Sequence, residues 1–435
     1  MLMRHTYSIP LALLLAFAPA AAYAQSHPSH KDERPQHLMF EGDADSVGRT
    51  LKENAPAHYN IPGLPRFAIF GKEGKFYLGI GGAVKATASY DFGNPVSNPN
   101  EFATSAIPLD IAPGNGARFR ASAQQSNVFV NFVALPGSDN QIGAFVSMNF
   151  IGDNYTPSLQ QAYLTYRGIK AGYSYGLFCD LAAGVPTIDY EGPNSFTTIP
   201  NAVIDYERSF GAKKEWKFGV GLEMPQNSYT LASNTASVSQ RLPDIPAYIQ
   251  YSWAKGSGWL RLAAMVRNLY YRDLAAGNNV DKVGWGINLS GSSPVAGGLT
   301  AFWQAVYGKG ITSYFQDLNG AGMDLLPDPH NSGVLNTVKS WGGYLGLQYT
   351  FSPKVFCSAT YSHVRTYVPR YGDQASSASG WDAQYKYAQY AVANIFWNIT
   401  PILQTGLEYI YGRRVDYSGA QAHDNRIQTM LQLSF

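Results

Sequence analysis

The sequence predicts an all-β fold, a 16-stranded antiparallel transmembrane β-barrel over residues 73–435, preceded by a signal peptide over 1–24 and a mostly irregular, flexible periplasmic leader over 25–72. Three observations predict it. The final stretch, Asn425 to Phe435, alternates with period two: Arg426, Gln428, Met430, Gln432 and Ser434 share one face, and Ile427, Thr429, Leu431, Leu433 and Phe435 share the other. Such a run matches a tilted membrane-crossing strand, which needs about 9–11 residues. The amino terminus carries Arg4 and His5, an apolar run from Ile9 to Ala18 and the small-x-small site Ala22-Tyr23-Ala24, so maturation is expected at Gln25. After that run no apolar stretch approaches the length of a transmembrane helix, and a membrane crossed without helices must be crossed by a closed sheet, because lipid leaves no backbone group unpaired.

Composition agrees. Charged residues make up 14% of the chain and aromatics 14%, with 43 Gly and 30 Tyr, a mixture suited to one large barrel with aromatic girdles. The formal charge of +2 is too balanced for a nucleic-acid binder, and no basic run carries interleaved stacking aromatics. The leader holds His27, His30, His37 and His58 among prolines and mixed charges; with no carboxylate or Cys at ligand spacing they read as solvated side chains, and no metal or other cofactor is expected. Cys179 and Cys357 are expected near opposite rims and therefore unbonded.

Alternating segments then follow at 75–92, 117–135, 141–151, 159–167, 169–178, 200–210, 215–224, 245–255, 258–272, 281–292, 298–309, 340–351, 354–367, 383–399, 402–416 and 424–435. Tight turns at Leu135-Pro136-Gly137, Tyr166-Arg167-Gly168, Phe210-Gly211-Ala212, Lys255 to Gly258, Ser293-Pro294-Val295, Ser352-Pro353-Lys354 and Ile399-Thr400-Pro401 alternate with longer polar loops. Tight turns on the side of both termini mark that side as periplasmic. In the seventh segment Trp216, Phe218, Val220, Leu222 and Met224 face lipid, and Lys217, Gly219, Gly221 and Glu223 face inward; Val283, Trp285, Ile287 and Leu289 repeat the pattern in the tenth. Sixteen strands leave an aqueous channel rather than a packed centre.

Selectivity is then expected from inward-facing charges and from the long third external loop, Cys179 to Ile199, which bears Asp180, Asp189 and Glu191 as constriction candidates. Arg118 and Arg120 share one face of the second strand, and Arg261 and Arg267 one face of the ninth. A lipid-facing arginine at mid-bilayer costs about 2–4 kcal/mol, so these four are the basic candidates for the lumen, each lining the bore or standing at its rim. Gly172-Tyr173-Ser174-Tyr175-Gly176 fits G-x-S-x-G, but it lies within an alternating strand rather than a strand-turn-helix elbow. A hydrolytic barrel would have to use Ser174 or a neighbour with His363 as base.

Several stretches resemble the DcaP-like outer-membrane porin family: Val185-Pro186-Thr187-Ile188-Asp189-Tyr190-Glu191-Gly192-Pro193, Gln160 to Tyr166, Ala171 to Ser174, and Tyr411-Gly412-Arg413-Arg414 followed by Asn425 to Gln428 and the closing Phe435. The resemblance implies a trimeric porin passing small negatively charged solutes such as dicarboxylates. Where that family shows basic residues around a Gln-Ser pair, this chain has Gln124-Gln125-Ser126-Asn127, and its Pro-broken leader has no heptads for the family's amino-terminal coiled coil. The expected function is passive diffusion of small hydrophilic, anionic solutes through a homotrimer embedded in outer-membrane lipid, without catalysis and without nucleic acid. An adhesin or structural barrel, and a hydrolytic barrel, are the alternatives.

Overall fold

The computed structural model describes residues 50–51, 53–56, 75–328, 330–368 and 384–435, together with the backbone of 38–39 and 67–70. The segment expected as signal peptide, the expected cleavage site and the four histidines of the expected leader lie outside the described residues. Sixteen strands close the barrel: β1 (Phe76–Gly93), β2 in two pieces (Ala117–Ser122 and Asn127–Ala134), β3 (Ile142–Asn149), β4 (Ser158–Tyr166), β5 (Ile169–Tyr175), β6 (Pro200–Phe210), β7 (Trp216–Glu223), β8 (Ile245–Trp253), β9 (Gly258–Asp273), β10 (Asn278–Ala296), β11 (Leu299–Lys309), β12 (Lys339–Ser352), β13 (Val355–Tyr367), β14 (Tyr385–Asn398), β15 (Leu403–Asp416) and β16 (Gln421–Ser434). Each strand pairs antiparallel with its neighbour in sequence, and β16 returns to β1 with Asp424 opposite Gly93 and Ser434 opposite Ala83. Gly82 and Phe435 exchange two backbone hydrogen bonds, 2.9 and 3.0 Å, at the foot of that seam.

Burial follows the expected alternation. On β16 Ile427, Leu431 and Leu433 are exposed, while Arg426 and Gln428 are buried within the barrel. On β7 and β10 the outward Val220, Leu222, Val283 and Ile287 are likewise exposed, forming the apolar band that lipid covers. His363 points outward on β13, sandwiched between Trp341 and Tyr387 with ring centroids 5.0 and 5.5 Å away. Ser174 is buried on the inner face of β5, donating to Gln161 at 3.1 Å, so the suggested serine and base stand on opposite sides of the wall.

Three details differ from the sequence reading. The turn after β10 is Gly297–Gly298, both with positive φ, because Pro294 is absorbed by an irregularity in register rather than starting the turn. External connections are not all long: 274–277 and 417–420 are as short as the opposite turns. The leader also contributes ordered backbone, since Phe67–Phe70 pairs with the start of β1 and Leu38–Met39 pairs with Phe67–Phe70 in turn.

The interior is not uniformly wet. Ala263, Met265, Val306, Val364 and Ala388 on the inner faces of β9 to β14 pack against Phe178 of the 176–199 loop and Ile311, Tyr314, Phe315, Leu318 and Met323 of the 310–338 loop. Burying one such side chain stabilises by about 1.5–3 kcal/mol, so the two loops are pinned inside the barrel by an ordinary hydrophobic core. Cys179 is buried in the first of these loops, Cys357 sits on β13, and neither forms a disulfide.

Candidate functional site

External loops 1 (94–116), 3 (176–199) and 6 (310–338) meet over the lumen. Loop 3 leaves β5 and runs along the inner wall, and its contacts trace the path. The Phe178 carbonyl accepts from Asn288 of β10 at 2.8 Å, the Ala183 carbonyl from Tyr344 of β12 at 2.8 Å, and the Pro186 carbonyl from Ser358 of β13 and Asn394 of β14, both at 2.9 Å. At the tip, Glu408 of β15 accepts the backbone N–H groups of Ile188 at 2.8 Å and Asp189 at 2.9 Å, with Asn394 and Gln428 donating to the same carboxylate. Ile188 is fully buried against Phe396 and Met430 beside these bonds. The loop returns through Ser195, hydrogen-bonded to Ser362, and Thr197, which donates to Gln304. Loop 3 therefore lies over the wall from β9 to β16 at its own level, while the cavity is lined by the remaining wall and, toward the tight turns, by Gln348, Phe356, Gln404 and Gln432 of β12, β13, β15 and β16.

The sequence-derived acidic candidates all line that lumen. Asp180 accepts from Trp259 Nε1 at 3.0 Å and from Ser290 at 2.6 Å, fastening the loop to β9 and β10. Asp189 accepts the Phe102 N–H at 2.9 Å and the Tyr390 hydroxyl at 2.9 Å, tying loop 3 to loop 1 and β14. Glu191 is buried, and neither of its carboxylate oxygens has a hydrogen-bond partner among the described residues. Burial raises its pKa well above the ordinary carboxylate value, and the neighbouring Asp317, Asp189 and Glu101 raise it further. Burial also lifts Asp317, against the bonds it accepts from Ser105 N–H at 2.9 Å and Thr104 at 2.8 Å.

The basic candidates divide. Arg261 lines the lumen, its guanidinium 3.6 Å above the Tyr248 ring while it donates to the Leu177 carbonyl. Arg267 is fully buried rather than bore-lining: it pairs with Asp244 at 2.9 Å and Asp324 at 3.2 Å, and donates to the Gly310 carbonyl at 2.7 Å. It is a strut that clasps loops 4 (224–244) and 6 to β9. Arg120 pairs with Asp91, which also binds Arg426, and donates to the Ser97 carbonyl, so it anchors loop 1; Arg118 is exposed at the outer end of β2. Sequence periodicity assigned each arginine a face but carries no record of which loop would cover it.

Beyond the four arginines, further cations line the lumen, among them Lys217, whose inward phase the sequence already shows. Lys170 of β5 pairs with Asp205 at 3.1 Å, Lys217 of β7 pairs with Glu207 at 3.1 Å, and Tyr248 donates to Glu207. Together with Arg261 they form a belt of charge across β5 to β9. Lys85 of β1 donates to the Ile188 carbonyl at 3.1 Å and to Gln125, bridging the wall to the loop tip. Their signal was available in the inward phase of each strand. One cavity of about 2750 Å³ joins these groups, reaching from the tight-turn residues Gln141, Gly168 and Lys354 to Glu101, Ser105 and Asn319 of the external loops. Among the described residues no cluster of His, Cys, Asp and Glu suits a metal.

A family model described as Porin subfamily matches residues 128–432. No curated protein matches at the level searched. Among solved structures, the crystal structure of the outer membrane channel DcaP of Acinetobacter baumannii is similar, with 20% identity and a TM-score of 0.70, over 84% of this chain and 99% of that one. An anion-selective porin from Comamonas acidovorans gives 12% identity and a TM-score of 0.51, over 83% of this chain and 100% of that one. OmpF of Salmonella typhi, in complex with daunomycin, gives 13% and 0.51, over 83% and 98%. At these identities the likeness is one of fold.

Proposed function

Because the chain belongs to the porin subfamily and is a bacterial outer-membrane channel, we propose that it passes small hydrophilic solutes passively, with a preference for anions such as dicarboxylates. The observation that carries the anion preference is the uncompensated guanidinium of Arg261 in the belt along the uncovered wall, where Asp205 and Glu207 neutralise Lys170 and Lys217, together with Lys85 at the loop tip. Guanidinium and ammonium groups pair well with carboxylates, and a low-dielectric constriction strengthens the effect of each charge. The opposing acids are muted: Asp189 and Asp180 spend their oxygens on loop contacts, and burial favours the neutral form of Glu191. The same reading includes a homotrimer in outer-membrane lipid, checked by native mass spectrometry of the detergent-extracted protein.

Reversal potentials across a planar bilayer in a KCl gradient test the preference. The wild type favours chloride, and Lys170→Gln, Lys217→Gln and Arg261→Gln together move the potential toward the cation side. A cation-favouring wild type whose potential ignores those substitutions refutes the reading.

A further inference from the structure

A helical turn containing Thr50, Leu51, Glu53 and Asn54 is closed by the Ala55 N–H donating to the Leu51 carbonyl at 3.1 Å. It sits inside the tight-turn half of the barrel, against β2 to β4. Leu51 is fully buried, and Ala55 packs on a row of inward rings, Phe129, Phe145 and Tyr163, whose centroids lie 5.7 and 5.6 Å apart. Three stacked rings are out of place on a wall meant to face water, since each carries about 150–250 Å² of largely apolar surface. The turn covers them.

The polar contacts are as specific as the apolar ones. Asn54 donates its amide to Asn131 Oδ1 at 2.6 Å and accepts from Thr165 Oγ1 at 2.9 Å; Tyr163 donates to the Asn54 carbonyl at 2.9 Å, and Asn131 to the Leu51 carbonyl at 2.6 Å. Gly143 makes room for this: a Cβ there would fall 1.9 Å from Asn54 Oδ1 and 2.3 Å from Thr165 Oγ1. Glu53, Asn54, Ala55 and Pro56 line the same cavity as the charge belt, so the turn takes cross-section from the lumen.

We propose that the tight-turn half of the lumen is a built binding site for a short amide-bearing peptide turn, formed by Phe129, Phe145, Tyr163, Asn131, Thr165 and the notch at Gly143, and that the chain's own Leu51, Asn54 and Ala55 occupy it as a tethered stopper. The inference goes beyond ion preference, and only its conductance arm rests on the channel reading. Anchoring is split between Leu51, which the wall buries, and Asn54, whose amide fills the notch.

The test compares full-length mature protein with Asn54→Ala on the segment and Gly143→Val on the wall, using hydrogen exchange of residues 50–56 and single-channel conductance. Both variants are expected to lose exchange protection in the segment by about tenfold or more, the shift that follows from losing two buried hydrogen bonds. Both are also expected to raise conductance. Unchanged exchange in Asn54→Ala overturns the docking, and loosened exchange with unchanged conductance overturns the stopper. Should Gly143→Val fail to assemble, Asn54→Ala decides alone; should the wild type not conduct, the channel reading fails and the exchange arm still judges the docking.

Discussion

Replacing Glu408 with alanine removes the carboxylate on which the tip of loop 3 is hung. Two of its four hydrogen bonds come from the loop backbone, Ile188 N–H at 2.8 Å and Asp189 N–H at 2.9 Å, and two from the wall amides of Asn394 and Gln428. Hydrogen bonds to a charged acceptor contribute about 1.5–3 kcal/mol each, so the two loop bonds amount to about 3–6 kcal/mol in gross terms. Water from the adjacent lumen can refill part of that loss, which leaves a net weakening of about 2–4 kcal/mol. At about 1.4 kcal/mol per decade the docked-to-undocked ratio of the tip falls by a factor on the order of 30 to 1000. The remainder of the loop stays pinned, through Phe178 in the core and the Ala183 carbonyl bonded to Tyr344. The expected result is therefore a local one: higher single-channel conductance, more open-channel noise, and faster proteolysis near Ile188 in a barrel that still resists heat. Glu408→Gln, which keeps an acceptor but not the charge, falls between. Wild-type conductance, noise and proteolysis in Glu408→Ala refute the claim that this side chain fixes the bore.

Two further outcomes follow from buried charge. Burial and the neighbouring Asp317, Asp189 and Glu101 hold the Glu191 carboxyl well above its ordinary value of 4.5 when folded, so the folded state binds more protons between the two values. Its contribution therefore favours the folded loops at low pH and is lost as pH rises through the folded value; thermal transitions measured from pH 5 to 9 should decline with pH in the wild type and decline less in Glu191→Gln. Arg267→Ala leaves Asp244 and Asp324 buried without their cation, which costs about 3–5 kcal/mol and lowers the temperature at which the folded band is lost on semi-native gels.

The strands were legible because lipid imposes a chemical difference on every second residue, and that difference survives in the sequence at Trp216 to Met224 or Ile427 to Phe435 as plainly as in the fold. The turn at Gly297–Gly298 was displaced from its expected place because a proline at a register irregularity reads like a turn former. The lumen was only half legible. Inward phase identifies Arg267 and Arg261 alike, yet one is sealed under loops 4 and 6 and the other borders water, a distinction made by contacts with Asp324 and Leu177 far away in the chain. Glu408 is illegible for the same reason: its role arises from a loop more than two hundred positions earlier. The turn with Leu51, Asn54 and Ala55 has no periodic signal, since its contacts are with Asn131, Tyr163 and Thr165, about eighty or more positions away.

The course of loop 3 has a consequence for how such a protein adapts. At its own level loop 3 covers the inner wall from β9 to β16, so side chains there, such as Ile188 against Phe396 and Met430, answer to packing rather than to the bore. Substitutions on the exposed inner positions of β5 to β8, such as Lys170 and Lys217, therefore change the lining of the passage without touching the packing that holds the loops.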